Sequence, residues 1–367
     1  MVVGMEVVDM TERAETGWTG TGAEPAESHE PAESYEPAES YEVAVVGGGA
    51  AGLSGALMLA RSRRSVVVID AGAPRNAPAD GVHGLLGREG MPPGELLARG
   101  RAEVRGYGGH VMTGEVTGVS REPADGRRDT GDGDRDGGGT GFVLTLAGGR
   151  SVRVRRLLVT TGLVDELPDV AGLRERWGRD VLHCPYCHGW EVRDQAIGVL
   201  ATGPMALHQA LLFRQLSADV TYFAHTAEPP AGDAAEQLDA LGVRVVTGEV
   251  AGLEVAGDRL AGVRLADGTV VPRQALAVAT RMVARAGLLA DLGLRAVEHP
   301  SGMGEHIPAD ATGRTDVPGV WVAGNVTDMT AQVHAASSAG AMAGAQINAD
   351  LAAEDARRAV AARRVGV

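Results

Sequence analysis

Residues 43–52 read VAVVGGGAAG, and no other stretch limits the possible folds of this chain so tightly. Gly47, Gly49 and Gly52 stand in G-x-G-x-x-G spacing. An apolar strand-like run, 42–46, precedes them, and an apolar helical pattern, 50–61, follows. A second strand-like run covers 65–70. Strand, glycine turn, helix and strand make a βαβ unit, which implies a parallel sheet with helices on its faces. Each glycine has a physical task in such a turn. Gly47 permits the tight turn, Gly49 lets a pyrophosphate approach the backbone, and Gly52 allows close packing of helix on strand. The helix N-terminus favours the anion through its dipole and free amides. Asp70 ends the second strand, where a carboxylate can accept from ribose hydroxyls. A glycine-rich turn without a ligand is the bland alternative, and the strand–turn–helix context weighs against it.

The pattern returns downstream as strand 196–201, helix 205–216 and strand 219–223. Thr160-Thr161-Gly162 closes a strand where the chain leaves the first unit. VWVAGNVTDMTAQVHAA returns to it through strand 319–323 and an Ala-rich helix, 332–352. The expected fold is therefore α/β, with two Rossmann-like three-layer domains. The split layout, with the first unit interrupted by the second, resembles that of the two-dinucleotide flavoproteins, and by that resemblance residues 41–163 and 293–367 are expected to form an FAD-binding domain. It is interrupted by an NAD(P)-binding-like domain, 164–292, that carries a C-x-x-C motif. Expected FAD contacts are Gly47, Gly49, Gly52, Asp70, Thr161, Gly162, Gly324, Asn325, Gln332 and Val333. Arg75, Asn76 and His83 join them from the segment after Asp70. Residues 1–40 repeat EPAES(H/Y) three times and read as a disordered acidic tail. The Asp/Gly-rich stretch 121–141 reads as a flexible hairpin loop between strand-like runs 111–119 and 142–146.

Charge narrows the partners. The formal net charge is -14, which argues against nucleic acid or an anionic membrane. All 34 basic residues are Arg, so lysine Schiff-base chemistry is excluded. No secretion signal or membrane-length apolar run is visible, and a cytoplasmic location is expected.

Both cysteines lie in His183-Cys184-Pro185-Tyr186-Cys187-His188-Gly189-Trp190-Glu191. The C-x-x-C spacing serves zinc, c-type haem or a redox disulfide. A structural zinc needs four ligands, and only His183 and His188 stand nearby. Haem attachment would leave the glycine motif unexplained. A redox disulfide fits both features. At a helix N-terminus the first cysteine is favoured as thiolate. His188 is an imidazole beside the pair and can take a proton from an incoming thiol.

Over roughly residues 41–355 the chain resembles the low-molecular-weight thioredoxin reductases. GGGAAG, the TTG strand end, the C-x-x-C at the start of the second unit and the AGNV…Q segment carry the resemblance. It implies FAD, a homodimer, Cys187 as the flavin-proximal sulfur and Cys184 as the one exchanging with substrate. His334, at the start of the last helix, is expected to join Cys184, Cys187 and His188 in catalysis. Four departures qualify the match. His188 replaces an acid. The second glycine motif reads Ala201-Thr202-Gly203-Pro204-Met205-Ala206. Phe223-Ala224-His225-Thr226 offers no Arg for a 2′-phosphate. Gly324-Asn325 replaces a Gly-Asp pair. Together these resemble the dithiol oxidases of holomycin- and gliotoxin-type biosynthesis. An Arg-only, Gly/Ala-rich composition favours the holomycin type. This subgroup implies closure of a small-molecule dithiol to a disulfide, with electrons passing through FAD to O2 and a weakened NADPH site. A thioredoxin-disulfide reductase fed by NADPH or another donor is the alternative, and a flavin-binding module without turnover is a third.

Overall fold

A computed structural model of the chain describes residues 40–123 and 140–365. The acidic tail and most of the 121–141 loop lie outside the described residues.

Strand Ser40–Val46 pairs in parallel with Val66–Asp70 on one side and Ser151–Val159 on the other. His110–Thr113 extends the sheet beyond Val66–Asp70, and Val320–Val322 pairs with the end of Ser151–Val159. Residues 66–69 and the C-terminal ends of Ser40–Val46 and Ser151–Val159 are runs of buried aliphatic residues because both faces are covered there. Val43, Val45, Leu59, Trp321 and Ile347 fill one face, under helices Ala50–Arg61 and Val333–Val365. Ala44, Val46, Ile69, Phe142 and Leu157 fill the other. The two helices touch at glycines: a Cβ on Gly340 would collide with the Ala51 carbonyl.

The run expected as one strand over 111–119 is two. His110–Thr113 stays in the parallel sheet. Val116–Pro123 crosses to the opposite edge of the same sheet, where it pairs antiparallel with Thr140–Leu146. The break falls at Gly114, whose N–H donates to the Asp70 carbonyl. The last helix also runs past its expected end at 352, to Val365. Glu354 and Asp355 on the added turns, and Asp350 just before them, are held by Arg64, Arg155 and Arg156.

A second parallel sheet orders its strands Arg244–Val246, Val220–Phe223, Ile197–Leu200, Ala275–Val278 and Val181–Leu182. Helix Ala206–Arg214 packs against its inner strands through Ala206, Ala210 and Phe213. The chain crosses between the two sheets on Leu163–Glu166 and Arg281–Ala284, which pair antiparallel with each other. Two Rossmann-type parallel sheets in one chain confirm the α/β fold class.

Candidate active site

The glycine turn has the form its sequence demands. Gly47 takes φ +106, a left-handed conformation that disfavours any side chain. A Cβ on Gly52 would strike the Gly47 carbonyl. Gly49 differs, since a Cβ there meets nothing within 4 Å. Its lack of a side chain serves no packing within the protein and leaves an open approach to the helix N-terminus. That is the cradle a pyrophosphate requires.

This turn opens into a cavity of about 1060 Å3. Asp70, Arg75, Asn76, His83, Thr161, Gly162, Gly324, Asn325, Gln332 and Val333 line it, as do Cys184, Cys187 and His188. Drug-sized ligand pockets run from about 300 to 1,000 Å3, so this one suits an extended dinucleotide with a second ligand beside it. Gly52 lies beneath the turn rather than on the wall. His334 is not a lining residue; it is exposed. Although it opens the last helix, the structure does not bring it to the cysteines' cavity as expected. Its neighbours Gln332 and Val333 face the cavity instead.

Several lining residues are already engaged. Asp70 accepts from Arg101 at 2.9 Å. Arg75 grips Asp165 through Nε and Nη2, at 2.6 and 2.7 Å. Its fork therefore holds a carboxylate of the chain itself. Thr280 Oγ1 donates to the same carboxylate at 2.7 Å. Burial alone would raise the Asp165 pKa, but Arg75 and Thr280 outweigh it and hold the carboxyl below its ordinary value. His83 bridges Glu89 at 2.6 Å and Glu191 at 3.5 Å, tying the segment after Asp70 to the cysteine motif. Asn325 Nδ2 donates to the carbonyls of Asp328 and Ala331. This leaves Oδ1 to accept from a hydroxyl. Thr161 Oγ1 donates to the Arg285 carbonyl at 2.7 Å.

Cys184 and Cys187 form a disulfide with Cα atoms 5.3 Å apart. Cys184 is the N-cap of the short helix Pro185–His188, and its Sγ accepts from the Cys187 N–H at 3.2 Å. A sulfur that accepts a backbone N–H is favoured as thiolate when the disulfide opens. Cys184 is half-buried and Cys187 exposed. His183 precedes them, with Nδ1 3.0 Å from the Val278 carbonyl oxygen. Burial pushes its pKa below the ordinary imidazole value.

The second glycine loop is built differently. Thr202 donates to the Ala279 carbonyl at 2.5 Å, and Met205 projects into the cavity. Where a 2′-phosphate would need a cation, His225 sits at φ +56 with Nδ1 accepting from the Val250 N–H at 2.9 Å. Burial lowers its pKa as well.

Residues 41–340 match the pyridine nucleotide-disulphide oxidoreductases. The chain belongs to this family. This pyridine nucleotide-disulphide oxidoreductase is 32% identical over 327 residues to thioredoxin reductase tcpT of Claviceps purpurea, which covers 84% of this chain and 94% of the relative. The solved structure of HlmI has 46% identity and a TM-score of 0.80, covering 89% of this chain and 98% of that one. An oxidoreductase from Agrobacterium tumefaciens has 36% identity and a TM-score of 0.76, covering 85% and 98%. The family and its thioredoxin-reductase-like members are flavoproteins, which implies FAD in the glycine cradle. With its paired cysteines on the same cavity, this oxidoreductase is a thiol–disulfide oxidoreductase. No helix among its described residues is long and apolar enough to cross a membrane.

Asp165, Thr280 and Gln209 escaped the sequence. Asp165 meets Thr280 because Leu163–Glu166 and Arg281–Ala284 run side by side, and Arg75 reaches the same carboxylate from a segment 90 positions away. Gln209, buried in the cavity wall, donates to the His183 carbonyl from a helix 26 positions away.

Proposed function

We propose that this enzyme oxidises a small-molecule dithiol of the dithiolopyrrolone class to its cyclic disulfide, using FAD and O2. One observation carries this proposal. The redox cysteines, His188 and the glycine cradle share a single cavity, while after strand Val220–Phe223, where a 2′-phosphate would need a cation, stands His225 with its Nδ1 taken by the Val250 N–H. Gly47, Gly49 and Asp70 would hold the dinucleotide's phosphates and ribose, with Asn325, Gln332 and Val333 toward its other end. Bound there, FAD supplies a two-electron acceptor for the reduced cysteine pair, with O2 as the final oxidant.

The chain's own residues do the sulfur chemistry. A substrate thiol gives its proton to His188, and the thiolate attacks Cys184 Sγ. The Cys184–Cys187 bond breaks and Cys187 leaves as thiolate. The second substrate thiol then attacks its partner sulfur and releases Cys184. Product disulfide departs, leaving both cysteines reduced. The domain limits 41–163, 164–292 and 293–367 and a homodimer belong to the same proposal.

The test mixes the purified yellow protein anaerobically with NADPH or with a small dithiol and follows the flavin band. Bleaching by the dithiol, then O2 consumption and peroxide, is the expected outcome. Rapid bleaching by NADPH would establish the reductase instead. Cys184→Ser or Cys187→Ser should abolish turnover.

A further inference from the structure

A dithiol that closes to a disulfide loses two protons, and the oxidase proposal, on which this inference rests, places one of them on His188. His183 stands at the other end of the motif, directly before Cys184, and lines the same cavity. Its Nδ1 lies 3.0 Å from the Val278 carbonyl oxygen. A carbonyl only accepts, so Nδ1 carries the proton and the neutral ring keeps its lone pair on Nε2. Among the described residues, Nε2 takes no hydrogen bond and is not sealed from the cavity. The segment is fixed from behind, where the His183 carbonyl accepts from Gln209 Nε2 at 2.6 Å. The charged groups facing the ring are Arg75, on the segment after Asp70, and Asp165, on Leu163–Glu166. They are paired with each other, so neither presents an uncompensated charge. Along the loop itself follow the disulfide-bonded Cys184 and Cys187, which carry no charge, and His188.

We propose that His183 Nε2 is the second proton acceptor for the substrate dithiol at the Cys184–Cys187 disulfide. Burial keeps the ring neutral at physiological pH, the form a base requires. One thiol S–H bond breaks, its proton goes to an imidazole, and its electron pair forms a bond to Cys184 Sγ as Cys187 leaves. The other thiol loses its proton to the second imidazole and displaces the Cys184 thiolate. The product has lost two electrons and two protons. The cysteines hold the electrons and His183 and His188 hold the protons.

His183→Asn places an amide N–H where Nδ1–H stood, keeping the bond to Val278 and removing the base. Anaerobic holoenzyme is mixed with dithiothreitol and quenched at intervals. Newly freed Cys187 thiol is counted by alkylation and mass spectrometry. At neutral pH the variant should open its disulfide about 10²-fold more slowly than wild type. The deficit should vanish as pH nears the thiol's own pKa, where base assistance is no longer needed. An equal deficit at both pH values, or none at neutral pH, would overturn the proposal while the oxidase function stood. Failure of dithiothreitol to open the wild-type disulfide would remove both. If His183→Asn does not fold, His183→Ala with added imidazole replaces it. Rescue at neutral pH supports the role, and no rescue refutes it.

Discussion

Arg75 and Asp165 form a two-bond pair beside the redox cysteines, and its balance is uneven. The Asp165 side chain is 7% exposed and that of Arg75 30%. Removing the cation strands a buried carboxylate, so Arg75→Met should cost about 2–4 kcal/mol in urea unfolding. Adding Asp165→Asn should restore much of that loss, because no charge is then left unpaired. The pair also sets an acid limit. The Asp165 pKa is depressed on folding, so its stabilisation is complete above the unfolded value and is lost as pH falls through the folded one. His183 acts on a higher window. Its folded pKa is also depressed, so the unfolded chain binds its proton more readily. Stability should therefore decline as pH falls below about 6.5, the unfolded imidazole value. Thermal melts of wild type and His183→Asn across that window should differ in slope, with the variant flatter. Both cysteines, His188 and Arg75 could be picked out from chain order alone. Asp165 could not, since 90 positions separate it from Arg75. His183 could be seen only as a metal ligand until Val278 and Gln209 were known to surround it.

At the level of elements, the glycine turn separates what a glycine does for the fold from what it does for a ligand. Gly49→Ala meets open space and ordinary backbone angles. Flavin-free protein should keep its stability within about 0.5 kcal/mol, while flavin content per purified chain falls. Gly52→Ala and Gly340→Ala collide with backbone carbonyls and should lower the melting temperature with or without flavin. Helix Ala50–Arg61 was legible to the residue because strand, glycines and apolar spacing agree. The uniformly strand-like composition of 111–119 predicts one strand where the structure has two. Only the turn of the backbone at Gly114 separates its two halves. The last helix outruns its sequence pattern for a different reason. Its final turns carry no apolar stripe and rest on Arg–carboxylate pairs with distant strands, which periodicity does not register.

Across the whole molecule, those pairs tie the C-terminal helix to the first sheet. Arg64 joins Glu42 and Asp355, Arg155 joins Asp355, and Arg156 joins Asp350 and the buried Glu354. Arg156 serves two carboxylates from one planar fork, which a single ammonium cannot reproduce. Arg156→Lys should therefore lower stability by about 1–3 kcal/mol, seen as a lower urea midpoint with unchanged slope. The hairpin at the opposite end of the chain's first sheet has another use. Its backbone register sets Pro123 opposite Thr140, so the chain departs from and returns to neighbouring points. Lengthening a connection between fixed ends costs only about 0.6 kcal/mol per doubling. A fluorescent protein with adjacent termini, spliced between these two residues, would therefore report on the enzyme in a cell while the sulfur chemistry proceeds undisturbed.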